Sequence, residues 1–232
     1  MNTSPFPCRI LFEDNHLLVV NKPAGIVTQG AAENEESLVT HAKEYLKRKY
    51  QKPGNVFLGI VSRLDRLVTG VVVLARTSKA ASRLSEQFRE NRVDKRYWAL
   101  VPRRPPQPSG QLVHFIRKND ARHRMEVCQA NDRGARQAKL EYEVIQHSGL
   151  LTLLEVQLET GRKHQIRIQL EALGIPAIGD EKYGSRRGFP EGIALHARKL
   201  TFEHPTKHES LSFEAPVPAS WLEAGFRQAG AG

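Results

Sequence analysis

The segment VSRLDRLVTG (residues 61–70) runs directly into the apolar stretch VVVLA (71–75), and the rest of the chain is organised around this junction. The apolar stretch is typical of a buried strand, and the residues before it are typical of a loop. In that loop Asp65 lies between Arg63 and Arg66. Because nearby positive charge favours an ionised carboxylate, Asp65 is suited to act as a nucleophile or an electrostatic anchor, and less suited to act as a general acid. An ordinary surface ion pair is the alternative interpretation.

The composition predicts a globular protein with a polyanionic partner. The 232 residues, 40% of them apolar, can bury one sizeable core or a core with two closely packed lobes. The chain carries 35 Lys and Arg against 25 Asp and Glu, a formal charge of +10. This balance is unusual for an enzyme of small metabolites and favours nucleic acid. We therefore expect a single catalytic domain over residues 1–232.

The cysteines and histidines do not form a pattern typical of metal sites or disulfide frameworks. Cys8 and Cys128 are far apart and outside any Cys-x-x-Cys motif, so we expect two reduced thiols. His204 and His208 have a spacing seen in metal sites, but Pro205 interrupts the helix that would align them. The sequence has no signal peptide and no stretch of ~20 apolar residues, which predicts a cytoplasmic protein without a membrane span.

Hydrophobic periodicity predicts alternating strands and helices. The third predicted helix carries an apolar stripe of Ile166, Leu170 and Leu173, and Arg167 lies beside it at the expected edge between core and solvent, within reach of a partly buried carboxylate. The predicted strands lie at about 9–12, 17–20, 71–76, 93–101, 150–158 and 211–216, with further antiparallel strands between 111 and 147. The predicted helices run from Ser37 to about Tyr50, from Thr77 or Ser78 to Asn91, and from Thr160 to Gly174.

The outer face of the first predicted helix is basic. Its residues Lys43, Lys47, Arg48 and Lys49 are expected to be solvated, and a contribution to an RNA-binding surface is the alternative.

Several segments resemble, in order, the motifs of the RluA-type family of RNA pseudouridine synthases. The segments that carry the resemblance are NKPAG (21–25), RLDR (63–66), KRYWALV (95–101), TGRKHQIR (160–167), GIPAIGDEKYG (174–184) and ALHARKLTFEHP (194–205). The chain departs from the family pattern at Ser62, where a histidine is usual, and at residues 67–70, where LVTG replaces a sequence ending in TSG. The NKPAG segment is expected to form a plain turn, with a phosphate contact by Lys22 as the alternative.

The resemblance implies an enzyme that isomerises uridine to pseudouridine in structured RNA, ribosomal or transfer. The base would have to be flipped out of its stack. Asp65 would be the catalytic carboxylate, Arg167 would form a salt bridge to it, and Tyr97 would pack against the target base. The implied substrate-binding residues are Arg63, Arg66, Lys95, Arg162, His164 and Gln165, of which His164 is alternatively a hydrogen-bonding part of the scaffold.

The elements and the resemblance together predict an α+β fold with a mixed, mostly antiparallel central sheet and flanking helices. We expect a monomer that uses no cofactor and no metal and has no separate N-terminal RNA-binding module. Two other classes stay open: an RNA-binding protein without activity, and a hydrolase of nucleosides or sugars. The hydrolase would need a second carboxylate, for which Asp180 is the best candidate, although a Gly-Asp turn explains that residue equally well.

Overall fold

A computed structural model describes residues 6–30 and 36–226, which form eleven strands, four α-helices and one 3₁₀ helix. The strands are β1 (Arg9–Glu13), β2 (Leu17–Lys22), β3 (Gly59–Ile60), β4 (Thr69–Ala75), β5 (Asp94–Val101), β6 (Ser109–Asn119), β7 (Arg124–Cys128), β8 (Arg136–Ser148), β9 (Leu151–Leu158), β10 (Leu195–Glu203) and β11 (Ser210–Glu214). The helices are α1 (Leu38–Lys49), α2 (Ser78–Arg89), α3 (Gln165–Ala172) and α4 (Ala219–Glu223), and the 3₁₀ helix is Glu181–Tyr183.

The chain divides into two compact units. Unit 1 comprises the described residues of Met1–Asp94 and Ala197–Val217, and unit 2 comprises those of Lys95–His196 and Pro218–Gly232. The predicted α+β class with a mostly antiparallel sheet is confirmed. That residues 1–232 act as a single catalytic domain stays a prediction.

In unit 1 both faces of the sheet are covered, which explains its continuous apolar strands. Leu18 and Val20 of β2 belong to a hydrophobic cluster that includes buried residues of α1. Leu17 and Val19 point to the opposite face and belong to a second cluster that includes buried residues of α2. β4 pairs antiparallel with β2 and alternates in the same way. A strand buried on both faces fixes the end of the loop that carries Asp65.

Helix α1 begins where the sequence predicts. The Ser37 hydroxyl accepts a hydrogen bond from the Thr40 amide at 3.2 Å, and the Thr40 hydroxyl in turn accepts one from the Ser37 amide at 2.8 Å. This reciprocal cap satisfies two amides that the first turn leaves unpaired.

Unit 2 contains the antiparallel strands β5, β9, β8, β6 and β7 in that spatial order. A small core forms where Ile116 of β6 and Ala138 of β8 meet Ile168 of α3 and Tyr183 of the 3₁₀ helix. This core holds α3 and the segment after it against the sheet.

Helix α3 differs from the prediction at its start. It begins at Gln165 and not at Thr160, and His164 precedes it in a left-handed conformation without a side-chain cap. The Thr160 hydroxyl instead donates a hydrogen bond to Gln165 Oε1 at 2.7 Å. Residues 165–170 are all buried, so the helix has no exposed stripe. The prediction that Arg167 lies at the edge between core and solvent was therefore wrong, since this residue is 5% exposed.

Within the described ranges, no helix has both the length and the hydropathy needed to span a membrane.

Candidate active site

Asp65 lies half-buried in the loop between β3 and β4, and the backbone on its N-terminal side is held by Thr28. The Thr28 hydroxyl donates to the Leu64 carbonyl at 2.9 Å and accepts from the Leu64 amide at 3.0 Å. On the other side, the Val68 amide donates to the Asp65 carbonyl at 3.1 Å and closes a turn. The Asp65 side chain therefore projects from a backbone that is fixed before and after it.

Lys22 supports the same loop from beneath. Its ammonium is fully buried and donates to three backbone carbonyls, those of Pro23 at 2.8 Å, Ile26 at 2.8 Å and Arg66 at 3.3 Å. Burial lowers the pKa of Lys22 to about 8, while the neighbouring Asp65 carboxylate acts in the opposite direction. A fully buried ammonium cannot reach a phosphate, so the alternative of a phosphate contact by Lys22 was wrong.

The two arginines that flank Asp65 are exposed. Arg66 is tied to the turn at Gly25: its carbonyl accepts from the Gly25 amide at 2.9 Å, and its Nε donates to the Gly25 carbonyl at 3.0 Å. Leu67, the next residue, is 40% exposed. The loop thus presents two cations and an apolar side chain around a single half-buried carboxylate.

Gly70 allows β4 to approach β10 closely. A Cβ at this position would lie 2.3 Å from the Ala197 carbonyl oxygen, and φ is +116°, in a region that favours glycine.

At Ser62, where the family usually has histidine, the hydroxyl accepts a hydrogen bond from the Val73 amide at 3.4 Å. The serine therefore ties the loop to β4.

Tyr97 is half-buried in β5 of unit 2, opposite Val156 of β9. Lys95 lies two residues earlier, so its side chain shares a face with that of Tyr97. Lys95 is 8% exposed. Its predicted contact with substrate stays a prediction.

Arg167 of α3 forms a buried, two-pronged ion pair with Asp180. Nε donates to Oδ2 at 2.7 Å and Nη2 donates to Oδ1 at 2.8 Å, and the two side chains are 6% and 1% exposed. This planar geometry is specific to a guanidinium and a carboxylate. The sequence did not identify Asp180 as a partner of Arg167. The salt bridge between Arg167 and Asp65 that the resemblance implies stays a prediction.

An aromatic ring packs against this ion pair. The Tyr183 ring lies 4.9 Å from the guanidinium carbon of Arg167 and 4.5 Å from that of Arg124. Its hydroxyl accepts from the Met125 amide at 3.0 Å and hydrogen-bonds His164 Nδ1 at 2.8 Å. Burial raises the pKa of Tyr183, so the ring stays neutral between the two cations.

The loop before α3 places the remaining predicted substrate-binding residues. Gln165 is 3% exposed, and its Oε1 accepts from the Thr160 hydroxyl and the Arg162 amide while its Nε2 donates to the Lys139 carbonyl. His164 bonds Tyr183, as expected for a scaffold residue. Arg162 is exposed. That these residues contact substrate stays a prediction.

The geometry of Asp180 disfavours the hydrolase alternative. A general acid in a glycosidase needs a carboxyl group that faces the substrate. Both oxygens of Asp180 instead bind Arg167 inside unit 2. In the part of the chain that the structure describes, no group of three or more His, Cys, Asp or Glu side chains could hold a metal ion.

A family model described as RNA pseudouridylate synthase matches residues 16–172. The chain is 34% identical over 223 residues to the ribosomal large subunit pseudouridine synthase D of Zymomonas mobilis, and the match covers 91% of this chain and 70% of that protein. It is 38% identical over 210 residues to a protein of Chloroflexus aurantiacus named an uncharacterized RNA pseudouridine synthase, and the match covers 90% of this chain and 65% of that protein.

Solved structures agree with the sequence matches. Human RNA Pseudouridylate Synthase Domain Containing 4 superposes with a TM-score of 0.78 at 26% identity, and the match covers 93% of this chain and 91% of that one. Because the family match spans more than half of the chain and includes Asp65 and Arg167, this chain belongs to the RluA-type family of RNA pseudouridine synthases, isomerases that act on uridine in RNA.

Proposed function

We propose that this chain isomerises specific uridines in structured ribosomal or transfer RNA and that Asp65 is its catalytic carboxylate. The observation that carries the proposal is the loop itself. A single half-buried carboxylate lies between two exposed arginines on a backbone that Thr28 and Lys22 hold. The name of the Zymomonas relative supports large-subunit ribosomal RNA as the first substrate to test.

In the proposed reaction the bond between the ribose C1′ and N1 of uracil breaks, and a bond from C1′ to C5 forms. The proton on C5 is released and N1 regains one, so the product is an isomer of the substrate. Asp65 assists cleavage as a nucleophile that attacks either the ribose or the base. Arg167 keeps Asp65 ionised and oriented, and Tyr97 packs against the base.

The target nucleotide must leave its stack before the base can turn, at a cost of ~ a few kcal/mol. Contacts between basic side chains and phosphates offset this cost. In our proposal Arg63 enters the space that the base vacates, and Arg66 binds a neighbouring phosphate. Both arginines are exposed, as this role requires.

The test is tritium release from RNA labelled at C5 of uridine. Asp65→Asn keeps the shape of the side chain and removes its charge, so release should stop while RNA affinity and thermal unfolding stay close to wild type. Asp120→Asn is the matched control, because Asp120 is an exposed carboxylate whose partner is Lys118. Release by Asp65→Asn at the rate of this control would remove Asp65 from the mechanism.

The monomeric state, the absence of cofactor and metal, and the cytoplasmic location stay predictions from the sequence. The proposed isomerisation is redox-neutral and needs no co-reactant.

A further inference from the structure

Three loops of unit 2 converge around the Tyr183 hydroxyl. The β6–β7 hairpin reaches it through the Met125 amide, and the loop before α3 reaches it through His164. The 3₁₀ helix that contains Tyr183 is tied to the hairpin by Arg124, whose Nη1 donates to the Lys182 carbonyl at 3.0 Å. The start of β8 joins the same region, because Arg162 Nε donates to the Gln137 carbonyl at 3.1 Å.

These loops carry exposed cations. We name the set formed by Arg122, Arg136, Arg162, Lys163 and Lys182 the loop cations, and all five are exposed. They come from four separate segments of the chain. Hydrogen bonds in the convergence region hold those segments together.

Most of the carboxylates near the loop cations are already neutralised. Arg117 binds Glu126 at 2.8 Å and lies 3.5 Å from Asp132, Lys118 pairs with Asp120, and Arg124 pairs with Glu171. Glu181 is an exposed acid in the same region. In the described ranges no ion pair is found for any of the five loop cations. Their charge is therefore available to an external anion.

We propose that the loop cations bind the phosphodiester backbone of the RNA substrate, which makes this end of unit 2 a docking surface for RNA outside the catalytic loop. The inference rests on the proposed function. Cations spread over a surface fit an extended polyanion. Arg136 lies opposite Ile116 of β6, and Arg122 lies in the turn after Asn119, which is three residues further along the same strand, or ~10 Å. Neighbouring phosphates along a nucleic-acid strand are separated by ~3.4 Å of axial rise. The cations at these two positions can therefore contact different phosphates of the same strand.

The test compares two triple variants that each lower the formal charge of +10 by three. The first is Arg122→Gln/Lys163→Gln/Lys182→Gln. The second, a matched control, is Lys52→Gln/Lys79→Gln/Arg89→Gln, at three exposed residues of unit 1 outside the basic face of α1. The probe is a fluorescent single-stranded RNA, and its dissociation constant is measured over a series of salt concentrations.

The loop triple should reduce the slope of log affinity against log salt by about 2, since each phosphate contact contributes about 0.7 for a single strand. KM for labelled RNA should rise, while kcat at saturating RNA and thermal unfolding stay unchanged. The control triple should leave the slope near the wild-type value.

Equal slopes for the two triple variants would overturn the inference, because the effect would then follow net charge and not this surface. Competition by polyglutamate as effective as that by RNA would also overturn it and would point to an acidic protein. Failure of the proposed function gives a different result: wild-type protein would bind the RNA and release no tritium from it.

Discussion

Replacement of Asp180 by Asn tests how much of unit 2 depends on the ion pair with Arg167. Asp180 accepts two hydrogen bonds from one guanidinium, at 2.7 and 2.8 Å, and is 1% exposed. The amide of asparagine keeps one acceptor and turns a donor towards the other N–H. A buried guanidinium would then lose the counter-charge that Asp180 supplies.

The expected loss in the free energy of unfolding is large, because water cannot reach the buried guanidinium to replace the carboxylate. Removing one partner of a buried ion pair typically costs ~3–5 kcal/mol. For a chain of this size 1 kcal/mol corresponds to ~2–4 °C, so the thermal midpoint should fall by roughly 6–20 °C. Asp120→Asn, at an exposed ion pair with Lys118, should leave the midpoint unchanged.

A double variant separates stability from function. Arg167→Met/Asp180→Leu replaces the pair by apolar side chains, a change that is often neutral for folding. We expect it to recover most of the midpoint lost by Asp180→Asn and to stay inactive, because the proposed role of Arg167 needs the guanidinium. A wild-type midpoint for Asp180→Asn would show that the ion pair does not stabilise unit 2, and activity in the double variant would show that the reaction does not need the Arg167 guanidinium.

Three further predictions concern the site and its supports. Arg167→Lys should lower activity by roughly 10- to 100-fold, because an ammonium cannot make the two parallel bonds to Asp180; a wild-type rate of tritium release would contradict this. Burial lowers the pKa of Lys22 from 10.5 to about 8. Between these two pH values the unfolded state binds more protons than the native state, so stability rises with pH by up to ~3 kcal/mol. Urea titrations of wild type and Lys22→Met should show this rise in the wild type alone, and parallel pH profiles would refute it. Gly70→Ala should lower the free energy of unfolding by ~1–3 kcal/mol or more, since its Cβ would lie 2.3 Å from the Ala197 oxygen. Gly134→Ala is the control, because Gly134 also has a positive φ but its Cβ would have nothing within 4 Å. Equal losses of unfolding free energy in the two variants would show that the close contact at Gly70 is not the cause.

Local sequence patterns predicted the strands with continuous apolar runs and the helix that begins with a capping side chain. The apolar runs in β2 and β4 identify strands because both faces of these strands are buried. Ser37 predicts the start of α1 because a cap depends on residues three positions apart. The loop at Asp65 was located from the change between charged and apolar residues.

Long-range contacts account for what the sequence did not predict. The hydroxyl of Thr28 holds Leu64 across 36 positions, and nothing near either residue indicates the pairing. Helix α3 was expected to be amphipathic, but Arg167 and two glutamines are buried there by hydrogen bonds to distant groups. From the sequence alone, a polar residue is expected at the surface, because the hydrogen-bond partner that permits its burial is not known.

A map of pseudouridine across ribosomal and transfer RNA, from cells with and without this protein, tests most directly whether the protein modifies RNA and needs Asp65 to do so. We expect at least one site to lose its modification in cells without the protein. Wild-type protein should restore the site, and an equal amount of the Asp65→Asn variant should not. An unchanged map, or restoration by Asp65→Asn, would contradict the assignment of this chain as an Asp65-dependent RNA pseudouridine synthase.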